Sequence, residues 1–148
     1  MIFVVGFGWA KPVPINPLYF KNRKLGTIIV SIAGPLTNFL IATISAILLS
    51  LNISSNTIII SILQLTIIYN IVLGVFNLIP LPPLDGSKII ASLLPDKYEA
   101  LFYKHEKYLY GILLLLLITG TMKNILNPLL YFGISLVNKI ILTISNII

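Results

Sequence analysis

The sequence predicts an all-α, polytopic membrane protein of about four transmembrane helices with a re-entrant or interfacial amino-terminal hairpin. Three observations carry that expectation. Hydrophobic residues make up 57% of the 148 residues and charged ones 9%, with a mean hydropathy of +1.03, whereas about a quarter of a soluble domain is charged. No charged side chain stands between Lys24 and Asp85, a stretch holding two runs of the roughly 20 apolar residues that cross about 30 Å of hydrocarbon. The basic residues behind the net charge of +6 fall in short clusters beside apolar runs, which is the pattern of topology signals and not of a nucleic-acid surface. No nucleic-acid partner is therefore expected. The length accommodates one membrane domain, residues 1–148. Without cysteine the chain has neither disulfides nor thiolate ligands.

Each element has a local reason. In residues 1–24 the prolines Pro12, Pro14 and Pro17 forbid a helix and favour an interfacial loop or hairpin. Residues 25–51 read as a span, Asn52 to Asn56 as a polar turn, and residues 57–79 as a second span ended by Pro80. Residues 80–107 form an Asp-Gly loop and an amphipathic helix: Ser87 to Leu94 is a short amphipathic stretch stopped by Pro95, and Asp96 with Glu99 has the pattern of a capping box opening a new helix. Residues 108–124 and 126–148 read as two further spans, the last with Lys139 snorkelling to an interface.

Orientation follows from the basic residues. Lys11, Lys21, Arg23 and Lys24 precede the first span, Lys88, Lys97, Lys104 and Lys107 lie between the second and third, and the turn at 52–56 has none. Both basic segments are expected in the cytoplasm. Asp85 and the Ser31–Asn38 segment then share a depth near the cytoplasmic ends of their spans.

At about 100° per residue, Ser31, Gly34, Asn38, Ala42 and Ser45 share one face of the first span, and Thr66, Asn70, Gly74 and Asn77 one face of the second. Helix packing explains such faces, since small residues let backbones approach and amides hydrogen-bond between helices. Pro-Pro-Leu-Asp-Gly, for its part, is good turn chemistry with a positive-φ glycine. Yet a carboxylate at membrane depth is a functional-site candidate, and a turn does not need two facing helices that bring asparagines to its depth.

The motifs Gly8-Trp9-Ala10-Lys11-Pro12-Val13-Pro14, Ser31-Ile32-Ala33-Gly34-Pro35-Leu36-Thr37-Asn38, and Asn70 followed by Asn77-Leu78-Ile79-Pro80-Leu81-Pro82-Pro83-Leu84-Asp85-Gly86 resemble, in order and spacing, the site-2 protease family of intramembrane zinc metalloproteases in its compact prokaryotic branch. The resemblance covers roughly residues 6–120. It implies a multi-pass protein of a prokaryotic cell membrane that cleaves transmembrane peptide or protein substrates within the lipid bilayer. It implies Zn2+ as cofactor, with Asp85 as third ligand beside two histidines of a His-Glu-x-x-His helix whose Glu is the general base. By the same resemblance Asn38 stabilises the tetrahedral intermediate or holds the substrate strand, and Asn77 supports it. Gly86 lets the backbone turn close to the metal, and Pro80, Pro82 and Pro83 keep the second span unwound beside the site. Gly34, Pro35 and Asn70 are structural around the site, and the 8–24 segment matches the family's membrane-entering hairpin, to which a substrate strand adds.

One departure stands out: the His-Glu-x-x-His motif is absent. His105-Glu106 begins like it, but position 109 is Leu109, and the pair lies downstream of Asp85. His105 reads as an interfacial residue beside Tyr98, Leu101 and Phe102. The chain alone is thus expected to be inactive, the second half of an active site whose upstream fragment supplies the zinc-binding helix, with Met1 an internal methionine. Two alternatives stay open: a non-catalytic relative acting as a membrane binding or scaffold protein, and a small transporter or channel subunit using Asp85 as its ion site. The last lacks paired ionisable groups and repeat symmetry.

Overall fold

The computed structural model describes residues 20–51 and 55–145. These form six helices: α1 (Arg23–Ser50), α2 (Thr57–Asn77), α3 (Asp85–Leu93), α4 (Asp96–Lys104), α5 (Glu106–Ile118) and α6 (Met122–Ser145). The expected hairpin lies, up to residue 19, outside the described residues, as do residues 52–54 of the turn and 146–148 of the last segment.

Three helices are long and apolar enough to cross a bilayer: α1 with 28 residues, α2 with 21, and Met122–Thr143 of α6 with 22. Only 22%, 17% and 12% of their apolar windows are buried within the protein, so most of each apolar surface needs a hydrocarbon solvent. The chain is a membrane protein. Segment 108–124 differs from the expected span: α5 has 13 residues, about 20 Å of rise, and ends at Ile118, with α6 already under way at Met122. Gly120, at φ 71°, forms the turn between them; only a residue without Cβ adopts that conformation freely.

Asparagines cap both helices of the hairpin. The Leu25 amide donates to Asn22 Oδ1 at the start of α1 and the Ile58 amide to Asn56 Oδ1 at the start of α2, each satisfying a donor the helix leaves free. Within the spans, Thr27, Thr37, Thr43 and Thr66 turn their hydroxyls back onto carbonyls four residues earlier, which keeps polar groups paired where no water reaches.

α1 is the hub, packing along α2 and against α3 and α6. Ala42 and Ala46 of α1 meet Ile71 and Val75 of α2 and Val137 of α6 in one buried cluster, with Phe39 and Ile67 packed on it. Small residues make that closeness possible. A Cβ on Gly74 would stand 3.1 Å from the Phe39 ring, and one on Gly133 3.0 Å from Ile71 Cγ2. The expected small face of α1 is therefore divided between partners: Ala42 serves α2 and α6, and Gly34 faces α3.

A second cluster joins Ile79 and Leu84 of the 78–84 connection to Leu113 of α5 and Met122 of α6. At one end of the bundle, Arg23 Nη2 lies 2.7 Å from Glu99 Oε2, Lys24 Nζ 2.7 Å from Asp96 Oδ1 and 3.7 Å from Glu99 Oε2. Lys24 Nζ also donates to the Leu94 carbonyl at 2.6 Å. The two basic segments thus share an end. These contacts also replace the expected capping box. Pro95, with neither a side-chain acceptor nor an amide hydrogen, occupies the N-cap of α4, so Asp96 falls inside the helix and the Glu99 carboxylate is turned onto α1.

Candidate active site

α2 ends at Asn77 and the chain turns through residues 78–84 before re-entering a helix at Asp85. Pro80, Pro82 and Pro83 lack the amide hydrogens a helix would need there. Pro82 is buried and Pro80 and Pro83 are exposed. Leu84, fixed in the second cluster, is the N-cap residue of α3, so Asp85 is its first helical residue and acidic in its first turn, where a negative charge is favoured by the helix dipole.

The Asp85-Gly86 pair is not a turn with a positive φ, as the turn reading would have it. Among the described residues only Gly120 has a positive φ. Gly86 is required by proximity: a Cβ there would collide with the Leu78 carbonyl. Backbone cannot yield as a side-chain end does. The absence of a side chain at 86 thus presses the start of α3 onto the end of α2.

Asp85 also touches α1. A Cβ on Gly34 would lie 3.2 Å from Asp85 Oδ2, so that oxygen faces the small face of the first span. Lys88 Nζ donates to the other oxygen, Oδ1, at 2.9 Å. The Asp85 side chain is 29% exposed. Phe39 of α1 packs against Gly74 of α2. Asn38 is half-buried and one turn beyond Gly34 on the same face, about 6 Å along the axis.

Asn77 is the half-buried last residue of α2. Asn70 lies two turns earlier, and its amide donates to the Thr66 carbonyl of its own helix at 2.8 Å; it does not bridge helices as the packing reading of that face supposes. Pro35 is fully buried, and its nitrogen carries no hydrogen, so the Ser31 carbonyl loses its α-helical donor. Ser31 Oγ is itself buried without a hydrogen-bond partner.

His105 stands apart from this arrangement. It is exposed at the junction of α4 and α5, with Nδ1 2.9 Å from the Leu101 carbonyl and its ring tilted against Tyr108. The sequence holds one histidine, four carboxylates and no cysteine, and among the described residues no three such side chains are grouped to hold a metal. The donor set fits one position of a zinc site, not three.

Residues 52–120 match the model of peptidase family M50. "Putative zinc metalloprotease YwhC" of Bacillus subtilis is 38% identical over 141 residues, covering 90% of this chain and 64% of that protein. The likeness is to peptidase family M50. "Zinc metalloprotease MJ0392" of Methanocaldococcus jannaschii is 36% identical over 81 residues, 53% of this chain and 23% of that protein. The chain thus spans less than two thirds of the length of either relative. No solved structure matches it.

Sequence reasoning missed two features of the site. Lys88 was legible from its i,i+3 spacing once Asp85 is placed at a helix start. The Arg23–Glu99 contact, 76 residues apart, carries no local signal.

Proposed function

We propose that this chain is the core portion of an intramembrane zinc metalloendopeptidase of site-2 protease type, hydrolysing peptide bonds of membrane-spanning substrates. One observation carries the reading: a carboxylate at the end of an apolar hairpin is set against a glycine of the neighbouring span, one turn from an asparagine on the same face. In this reading Asp85 is the third zinc ligand. The two imidazole ligands and the general base come from a His-Glu-x-x-His helix outside this sequence, in cis or as a separate fragment. When bound, the metal supplies Lewis acidity and a nucleophilic water at neutral pH. The chain's own residues hold and orient. Asp85 offers Oδ2 toward α1, Gly34 leaves room for it, and Asn38 presents an amide that donates to the developing oxyanion.

The test is a pair of substitutions in an assembly completed with the missing helix. Asp85→Ala is expected to abolish zinc retention and cleavage of a helical membrane substrate. Asn38→Ala is expected to keep the metal and slow turnover by roughly 10²- to 10³-fold, the usual effect of losing one oxyanion donor. Equal loss of zinc in both variants would remove the distinction between ligand and stabilising roles. A completed assembly that binds zinc but cleaves nothing supports the non-catalytic scaffold instead.

A further inference from the structure

α5 begins and ends at the same end of the bundle. It follows α4 through His105, which closes one helix and opens the next, and α4 is held by ion pairs to Arg23 and Lys24 at the start of α1. At its other end the chain turns at Gly120 into Met122, which is buried with Leu113 in the cluster of Ile79 and Leu84, just past the end of α2. From there α6 runs back along α2: Gly133 lies against Ile71, and Val137 packs with Ala42, Ala46 and Ile71. α6 is thus antiparallel to α2. The 13 residues of α5 rise about 20 Å against about 30 Å of hydrocarbon, and they do not carry the chain to the opposite face.

The outward side of this non-crossing segment has the chemistry of a leaflet surface. Leu113, Leu116 and Leu117 face the cluster, yet the outer side of α5 is apolar as well, with Leu115 60% and Ile118 85% exposed. Such a side needs acyl chains. Tyr98 and Tyr108 are exposed and carry amphipathic rings of the kind that settle at headgroup level. Lys97, Lys104 and Lys107 are exposed near them. Among the described residues none of the three pairs with a carboxylate, because Asp96 and Glu99 are engaged by Arg23 and Lys24, which leaves Glu106 against three lysines. The excess charge is positive.

We propose that α4 and α5 form a non-crossing elbow that seats anionic phospholipid in the leaflet at the Asp85 end, with Lys97, Lys104 and Lys107 on the headgroups and the outer side of α5 among the acyl chains. Apolar contact and attraction to anionic headgroups add in segments of this kind, and basic clusters beside a span favour anionic over zwitterionic lipid. Lys97 and Lys104, seven residues apart, share a face of α4. They therefore reach toward the same layer.

The test uses the full 148-residue chain in bilayers and has a topological arm and a lipid arm. The sequence has no cysteine, so Lys107→Cys and Lys123→Cys, both exposed and flanking α5, can each be labelled with a membrane-impermeant maleimide. Both are expected to label from one side and Ser55→Cys from the other. For the lipid arm, the single tryptophan Trp9 is removed with Trp9→Phe and a reporter is placed by Leu115→Trp. Brominated phosphatidylglycerol is expected to quench it with about fivefold or greater preference over brominated phosphatidylcholine, the effect of one lysine near a headgroup. The preference should fall on joint Lys97→Gln, Lys104→Gln and Lys107→Gln, and in the unmutated protein at 1 M salt, where the Debye length is about 3 Å. A reporter at Ile58→Trp, exposed at the far end of α2, should be quenched alike before and after the lysine changes, which shows that the variant stays inserted. If the triple variant does not insert, the salt series decides alone. Labelling of Lys107→Cys and Lys123→Cys from opposite sides makes α5 a span and overturns the elbow. Equal quenching by the two lipids at low salt overturns the anionic preference, and no quenching by either assigns the outer side of α5 to a protein neighbour, such as a second copy of this chain, and overturns the lipid seat.

Discussion

Two glycines bear on where Asp85 sits, Gly34 facing its Oδ2 and Gly86 lying against the Leu78 carbonyl, and their substitution separates fold from site. Gly86→Ala places a methyl on the Leu78 carbonyl, so α3 must move off α2 at a cost of about 1–3 kcal/mol, the range for overpacking. The expected result is a lowered unfolding midpoint in micelles and loss of zinc in the completed assembly. Gly34→Ala is milder. Its Cβ sits 3.2 Å from Oδ2, so the carboxylate must give by a few tenths of an ångström; the fold should persist while zinc weakens. Unchanged affinity in Gly34→Ala would show that Oδ2 does not depend on that gap. At this scale the sequence was informative about residue type and less so about cause. Asp85 and Gly86 are legible as a motif, but whether Gly86 serves a positive φ or a close approach depends on where Leu78 lies, which no local pattern encodes.

Among elements, side-chain ion pairs tie α1 to α4, while α3 packs directly on α1. Glu99 is 8% exposed and its partner Arg23 52% exposed, so the pair is only half desolvated. Removing the acid leaves the Arg23 and Lys24 charges able to reach solvent. Glu99→Gln should therefore cost about 1–2 kcal/mol, between the surface and buried limits, read from denaturant midpoints. Two titrations accompany it. The Lys24 ammonium beside Asp96 holds that carboxyl below its usual value, so its contribution is present above the unfolded carboxylate range and is lost as pH falls through the lower folded value. Burial, then the Glu99 and Glu106 charges, raise the Tyr103 phenol. The folded state thus keeps that proton more tightly, and its contribution is present below about pH 10 and lost as pH rises through the higher folded value. Tyr103→Phe should flatten that alkaline loss, and an unaltered alkaline profile would assign it to another group. The helix beginning at Asp96 was legible from Pro95 and its acidic first turn, but Glu99 read as a capping residue because its true partner is 76 residues away.

For the whole molecule, the apolar runs of α1 and α2 were legible because span length is set by the bilayer. The 13-residue α5 was not, since uncharged residues continue from Ile118 to Met122 while the backbone turns at Gly120. The chain has no native cysteine, so single cysteines at exposed Ser55 and Lys97 should label from opposite sides of the membrane; Ser92, though also between α2 and α5, is buried and unsuitable. Labelling of both from one side would contradict the two-span hairpin that brings Gly34 to Asp85. The central claim is that Asp85 is a zinc ligand completed by imidazoles from outside this sequence, and metal analysis tests it most directly. The account predicts no stoichiometric zinc on the 148-residue chain alone, one zinc per assembly once a His-Glu-x-x-His helix is supplied, and none when that assembly carries Asp85→Ala. Tight one-to-one zinc on the chain alone that is lost with His105→Ala, or full zinc in the Asp85→Ala assembly, would contradict it.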